Sequence, residues 1–524
     1  MSRLIRLAGV LALVAACLPV ASASALSYPV TSTADGTASG TLGWAIGKAN
    51  EHSGLDSIPI EVSGTIVLGT KLPASTGDVA VSGPGAGSLT VARSATAAPF
   101  RVLEFSGGNA TVSGITVSDG LDTVGAGILS AGGSLTLIRV HVTDNEARNE
   151  GSGTRIAGGG GILSTGTLTL RESVVSGNLV VAAEGEENLA GGGGVEAEGA
   201  LFVERSTIAD NRAEALGEGQ PKAGAVGGGL AVAGGGSATI EESTISHNSV
   251  FAAEAGDLAI ARGGGIQGGI VNLTGSTVAD NGAELDAAGV VTSNVAGDNL
   301  AVSILSSARD TLVSNPRGEG EDCAGALVST GYNLDQDGTC DFDQGSDLAG
   351  VAAGLDPVLR DNGGPTPTQA LLPGSIAIDR GSSFGLTADQ RGLPRPSDFP
   401  DVSNKEGGDG SDIGAFELQA PAPPAGGPAV VTEQPADTTA PNTRIVRGPA
   451  RLGFKRLAKF RFASTEAQSS FQCKLDKRKW KACANPFKRS VKPGRHLFKV
   501  RAIDRFGNVD PTPARFGWRV KPLS

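Results

Sequence analysis

Aromatic side chains make up only 4 % of this 524-residue chain, which excludes a large aromatic core over most of its length. Histidine is sparser still. The four present, His52, His141, His247 and His496, are scattered, and no C-x-x-C occurs, so a zinc site is not expected. After the N-terminal residues no apolar run is long enough to cross a bilayer, and no C-terminal sorting signal stands out. No groove-reading motif is present, which argues against sequence-specific binding of nucleic acid. What the chain has instead is glycine, 78 residues of it, in periodic GGG runs that suit turn-rich β structure.

The N-terminus reads as a secretory signal, expected to occupy residues 1–25. Arg3 and Arg6 precede an apolar run over 7–20, and Ala21-Ser22-Ala23-Ser24-Ala25 offers A-x-A cleavage sites. Val14-Ala15-Ala16-Cys17 is the alternative, a weak lipobox that would acylate Cys17. Two close pairs remain after processing, Cys323 with Cys340 and Cys473 with Cys483. In a secreted chain these are read as two disulfides. Charge is strongly asymmetric. From Pro441 on there are 22 Lys and Arg against 4 Asp and Glu, and the preceding residues carry 21 against 50. The net charge of −11 therefore hides an acidic body and a basic end.

Five asparagines organise the body. Asn145, Asn178, Asn211, Asn248 and Asn281 each close the same pattern, about 33 residues apart with one longer step. The segments read LTLIRVHVTDN, LTLRESVVSGN, LFVERSTIADN, ATIEESTISHN and VNLTGSTVADN. Stacked, they give apolar columns such as Leu135, Leu168, Leu201, Ala238 and Val271, beside a hydroxyl column of Ser173, Ser206, Ser243 and Ser276. Alternation within each segment predicts strands. One such strand cannot bury its apolar face alone, but a parallel stack can, with asparagine bonded to asparagine at a shared corner. The expected fold is all-β: a right-handed parallel β-helix, pectate-lyase-like, of about three strands per coil (GGGI, LTL and STVSGN).

Several stretches resemble known families. Thr33-Ala34-Asp35 followed by Leu42, Ala45, Ile46, Ala49 and Asn50 is similar to the N-terminal segment of CSLREA-type bacterial surface proteins, with Gly43-Trp44 in place of the usual charged pair. Leu42, Ala45, Ile46 and Ala49 sit at helical spacing, and that stripe predicts a short helix, within residues 28–56, capping the first coil. The repeats over about 100–310 resemble stalks of polymorphic outer-membrane proteins. The β-helix is expected over 57–310. LDPVL, DNGGPTPT, LLPGS, DQRG and DIGAFE, in that order, resemble the choice-of-anchor Q domain, expected at 311–418 as a C-terminal cap and collar. Gln369 stands where that family often has histidine. A Pro/Ala linker follows at 419–442. Residues 443–524, with Cys473, Trp480, Cys483 and AIDRFGNVDP, resemble the Ig-like modules of secreted actinobacterial proteins, which implies a small β-sandwich.

No cluster of unpaired acids or bases suggests a catalytic site. In the outward columns Arg139, Glu172, Arg205, Glu242 and Arg171, Glu204, Glu241, adjacent coils mostly carry opposite signs, as on a solvated face with cross-coil ion pairs. The segments after each asparagine are read as loops from one corner. They carry Glu146, Glu150, Glu184, Glu186, Glu187, Glu214, Glu218, Glu254, Asp257, Glu284 and Asp286, and so build an acidic ridge, which either serves solubility or binds divalent cations or docks the basic end. No resident cofactor is expected. Calcium is entertained at Asp335, Asp337, Asp341, Asp343 and Asp347, and at Asp504, Asn508 and Asp510, which are first of all turn residues. In the basic end, Lys474, Lys477, Arg478, Lys479, Trp480, Lys481, Lys488 and Arg489 are the candidates for binding an anionic wall or matrix polymer. The expected role is a secreted or cell-surface structural or adhesive protein. The alternative is a polysaccharide lyase or glycoside hydrolase on the same fold, which needs converging carboxylates. Oligomeric state is not legible.

Overall fold

The computed structural model describes residues 25–521, apart from 287–291, 303–304, 319, 326, 421–439, 450–451, 454–455, 466–468, 485–486 and 504–507. The expected leader up to Ser24, most of the linker and Asp504 therefore lie outside the described residues. The chain forms two compact units, Met1–Pro421 and Ala422–Ser524. Among the described residues no helix is long and apolar enough to cross a membrane.

The first unit is a parallel β-solenoid. Its coils stack in the register that the sequence columns require. Leu135 pairs with Leu168, Leu168 with Leu201, Leu201 with Ala238 and Ala238 with Val271. Val142, Val175, Ile208, Ile245 and Val278 align in the same way in an 11-stranded sheet. Their side chains point inward and are buried, so each coil covers the apolar face of its neighbour. The third stack begins at the glycine runs, with Ile128 on Ile162 and Ile162 on Val195. In Leu230–Glu241 and Ile266–Thr274 the glycine-led and LTL strands merge into one.

The N-terminal end is covered by the helix Leu42–Ala49, which buries Leu42, Ala45, Ile46 and Ala49. Thr41 caps it, accepting from Trp44 N at 3.3 Å. The residues of the resembling motif fasten the cap to the first coils. Asp35 accepts from Gly69 N, and the Asn50 amide bridges Ala74 O and Thr76 N. An unpaired sheet end is thus closed.

Two expectations need correction. The segments after each asparagine are not loops. Each runs out as a strand and returns as another, as in Glu146–Glu150 and Thr154–Gly158. Coil on coil, these pair in parallel as a nine-stranded sheet, the returning strands stacking on one another like the outgoing ones. The result is a two-layered fin with its own core. That core is nearly all alanine, including Ala147, Ala157, Ala182, Ala190, Ala213 and Ala225. Side chains this small satisfy strand alternation yet let two layers close with little between them.

The second correction concerns residues 311–418. Parallel coils continue past 310 to Leu348–Ala349, and the Cys323–Cys340 disulfide lies within them. Cys323, Leu327, Cys340 and Phe342 belong to the solenoid core and plug its end. The segment carrying the choice-of-anchor-like motifs instead runs back along the flank, over the 11-stranded sheet. Gln390 reaches Ser206 O, Thr207 and Thr244, Gln369 reaches Asp280, and Ala415 N bonds Thr277. This is why Thr207, Thr244 and Thr277 are buried although they point away from the solenoid interior.

The second unit contains two small sheets, a three-stranded and a five-stranded one, mostly antiparallel. They share an aromatic core. Phe460 stacks on Phe498 at 4.1 Å and meets Trp518 edge-on at 5.2 Å, with the Cys473–Cys483 disulfide at its edge.

Candidate functional site: a basic sheet face and its counterparts

The outer face of the five-stranded sheet follows from alternation along its strands. In Gly494–Ile503, Phe498, Val500 and Ala502 point into the core. Arg495, Leu497, Lys499 and Arg501 therefore point out. Lys474 lies opposite Lys499, and Lys499 opposite Arg515. Arg495 lies opposite Arg519. Like charges directly opposite each other on neighbouring strands are destabilising. Among the described residues none of Lys474, Lys499 and Arg515 has an ion-pair partner. The Arg501 guanidinium sits over the Trp480 ring at 4.6 Å from its centroid.

The candidates named from sequence are divided by this arrangement. Lys474 is in the row. Lys477, Arg478, Lys479 and Trp480 follow the strand Ser470–Leu475, and Lys481 starts the short strand beside it. Lys488 and Arg489 belong to the other sheet, opposite Lys459 and Ala458. Lys499, Arg515, Arg495, Arg501 and Arg519 are not among those candidates, which centre on the cluster around Trp480. The alternation in RHLFKVRAI and ARFGWRV was the available signal. Asp510 accepts from Thr443 N and Thr512, as a turn residue does.

The acidic ridge does not form as expected. Register places Arg148, Val181, Glu214, Phe251 and Glu284 in one column of the fin. Arg148 pairs with Glu146 and Glu150, Arg212 with Glu214, and Lys222 with Glu187 at 3.1 Å. Glu184, Glu186, Asp257 and Asp286 are exposed near the fin's outer edge. The side chains of Glu218 and Glu254 lie outside the described residues. On the solenoid itself the charges pair coil to coil: Arg139 with Glu172 at 2.7 Å, Glu172 with Arg205 at 2.9 Å and Arg171 with Glu204 at 2.7 Å. Glu242 departs from that pattern. The flank segment covers it, and burial pushes its carboxyl up to about 7.

The asparagines form a continuous ladder. The Nδ2 of Asn145, Asn178, Asn211 and Asn248 each donates to Oδ1 of the next residue at 2.9 Å. Each also donates to a strand carbonyl of the preceding coil. Glycine at the start of the next strand is part of the same device. A Cβ on Gly194 would meet the Asn211 amide at 2.8 Å and Gly229 O at 2.7 Å. The serine column makes a second ladder, Ser173 N to Ser206 Oγ and Ser206 N to Ser243 Oγ, both at 3.1 Å.

The flank motifs converge on a buried ionic cluster. Arg395, fully buried, lies 3.0 Å from Glu417 and 3.3 Å from Asp310. The same guanidinium donates to the Asp412 and Gly414 carbonyls, and Glu242 and Asp412 add to the negative charge around it. Burial, against the neighbouring Glu417, raises Asp412 to about 8 and holds Asp310 well above the usual carboxylate range. Of the five aspartates near Cys340, Asp341 and Asp343 are exposed, and Asp347 is occupied by Ser329, Asn333 and Gln344. Asp335 and Asp337 instead approach Asp322. Comparisons with protein-family models, with curated proteins and with solved structures find no match to this chain.

Proposed function

We propose that this is a secreted or cell-surface structural protein whose solenoid carries an adhesive C-terminal module, and that the module binds an anionic wall or matrix polymer. The cross-strand row Lys474–Lys499–Arg515 carries this reading. Three cations in register cost the fold stability. A polyanion laid across the strands would neutralise them, releasing its own counterions as it binds. The two sheets and their disulfide support an Ig-like module, and the cap and flank motifs support the CSLREA and choice-of-anchor Q resemblances. The A-x-A leader and the disulfides support export.

The test is retention of the full chain on an immobilised anionic glycan across a salt gradient. Lys499→Glu places a carboxylate in the middle of the row and is expected to lower affinity about tenfold or more, with an earlier elution and a melting midpoint no lower than wild type, since the cross-strand repulsion is relieved. Equal retention of wild type and Lys499→Glu, or retention indifferent to salt, would overturn the proposal.

A further inference from the structure

The asparagine ladder has a direction, and its end defines a site. Every Nδ2 points toward the next coil. Beyond Asn281 the donor chain passes to Asn299 at 2.8 Å, then to Asp322 Oδ1 at 2.5 Å. A row of amides aligned this way must finish on an acceptor, and here it finishes on a carboxylate. Asp322 is 0 % exposed, and its second oxygen has no hydrogen-bond partner. Asp335 is also 0 % exposed. Its Oδ2 accepts from Cys340 N at 2.8 Å, and its Oδ1 is likewise orphaned. Asp337 stands at the surface beside them, held by Asp322 N at 2.8 Å and by Thr339 N and Oγ1.

One carboxylate oxygen from each of the three lies within 4.8 Å of the others. Among the described residues no Lys or Arg pairs with any of them. Two buried, unpartnered carboxylate oxygens facing a third acid lack a positive charge.

We propose that Asp322, Asp335 and Asp337 form a calcium site at the C-terminal end of the solenoid, closing the asparagine ladder and bracing the disulfide plug. Oxygens on one calcium ion lie up to about 5 Å apart, because each is about 2.4 Å from the metal. Calcium accepts an irregular carboxylate set completed by water, and the exposed Asp337 gives it an entry path. Asp322 and Cys323 are adjacent in sequence, as are Thr339 and Cys340, with Thr339 Oγ1 bonded to Cys323 N at 3.0 Å. The ion would therefore tie the same two chain segments that the disulfide joins.

The test uses the full chain, freed of metal with chelator and titrated with calcium chloride by calorimetry, with melting curves alongside. One equivalent is expected to bind with a dissociation constant of about 10⁻⁴–10⁻³ M, as in extracellular modules. The melting midpoint should rise with calcium and rise less with the same magnesium. Asp322→Asn should abolish both effects. Asp337→Asn guards against misfolding: its midpoint in chelator should match wild type, while its calcium affinity falls about tenfold or more. Asp257→Asn, on the fin, should leave calcium binding intact. No binding by wild type at about 5 mM calcium, or full binding retained in both Asp322→Asn and Asp337→Asn, would sink the assignment.

Discussion

At the scale of single residues, the corner amide and the buried acid matter most. Asn211 Nδ2 donates to Val175 O and Asn248 Oδ1, and its Oδ1 accepts from Asn178 N and Nδ2. Asn211→Ala strands those groups in a dry interior. It is expected to destabilise the solenoid by about 3–5 kcal/mol, measured as a shift in the urea midpoint. Gly194→Ala should act on the same amide from the other side, since the added methyl needs the space Asn211 fills. Glu196 gives a pH prediction. Burial, aided by Glu198, raises its carboxyl to about 7. The folded state then holds the proton more tightly than the unfolded state. The stability Glu196 contributes is fully present below about pH 4.5 and lost as pH rises through 7. Glu196→Gln is expected to be more stable than wild type by about 1–3 kcal/mol at pH 8 and no different at pH 4, by thermal melts at the two pH values.

At the scale of elements, the fin and the flank segment are the parts whose character changed between sequence and structure. The fin segments looked like loops because alanine and glycine carry almost no hydrophobic contrast, so their alternation is faint. Their pairing partners are one coil away, and only the stack supplies them. Ala215 is fully buried between the two layers. Ala215→Leu should overpack it and cost about 1–3 kcal/mol, with the loss of amide protection confined to the fin in hydrogen exchange. The flank segment was readable as a motif series but not as a position. Its polar residues, Gln390, Gln369 and Arg395, find partners 89 to 184 residues earlier in the chain or inside the buried cluster. Arg395→Leu leaves Glu417 and Asp310 buried without their cation. A loss of about 3–5 kcal/mol is expected at pH 7, shrinking as the acids are protonated at low pH.

At the scale of the whole molecule, stability divides between two compact units, and within the first the flank segment ties successive coils together. Urea unfolding followed by tryptophan fluorescence is expected to show separate transitions. Trp480 and Trp518 report the C-terminal module, and Trp44 reports the N-terminal cap. Coincident transitions at all three tryptophans would refute that division. The charge asymmetry also belongs to this scale, and it was visible in composition alone. Composition did not show that the basic charges gather on one sheet face, since that depends on which side of each strand a residue occupies.

The chain's own order of residues settled the coil repeat, the identity of the stacked columns, the capping helix and both cysteine pairs. These are local in period: a strand that alternates and recurs every 33 residues or so has one economical way to bury its face. The tertiary structure alone decided the rest. It made strands of the fin, ran the flank segment back along the solenoid, extended the ladder through Asn299 and brought Asp322 to Asp335 and Asp337. Each of these depends on groups far apart or off the repeat, whose partners are chosen by hydrogen-bond satisfaction and burial once the coils are stacked.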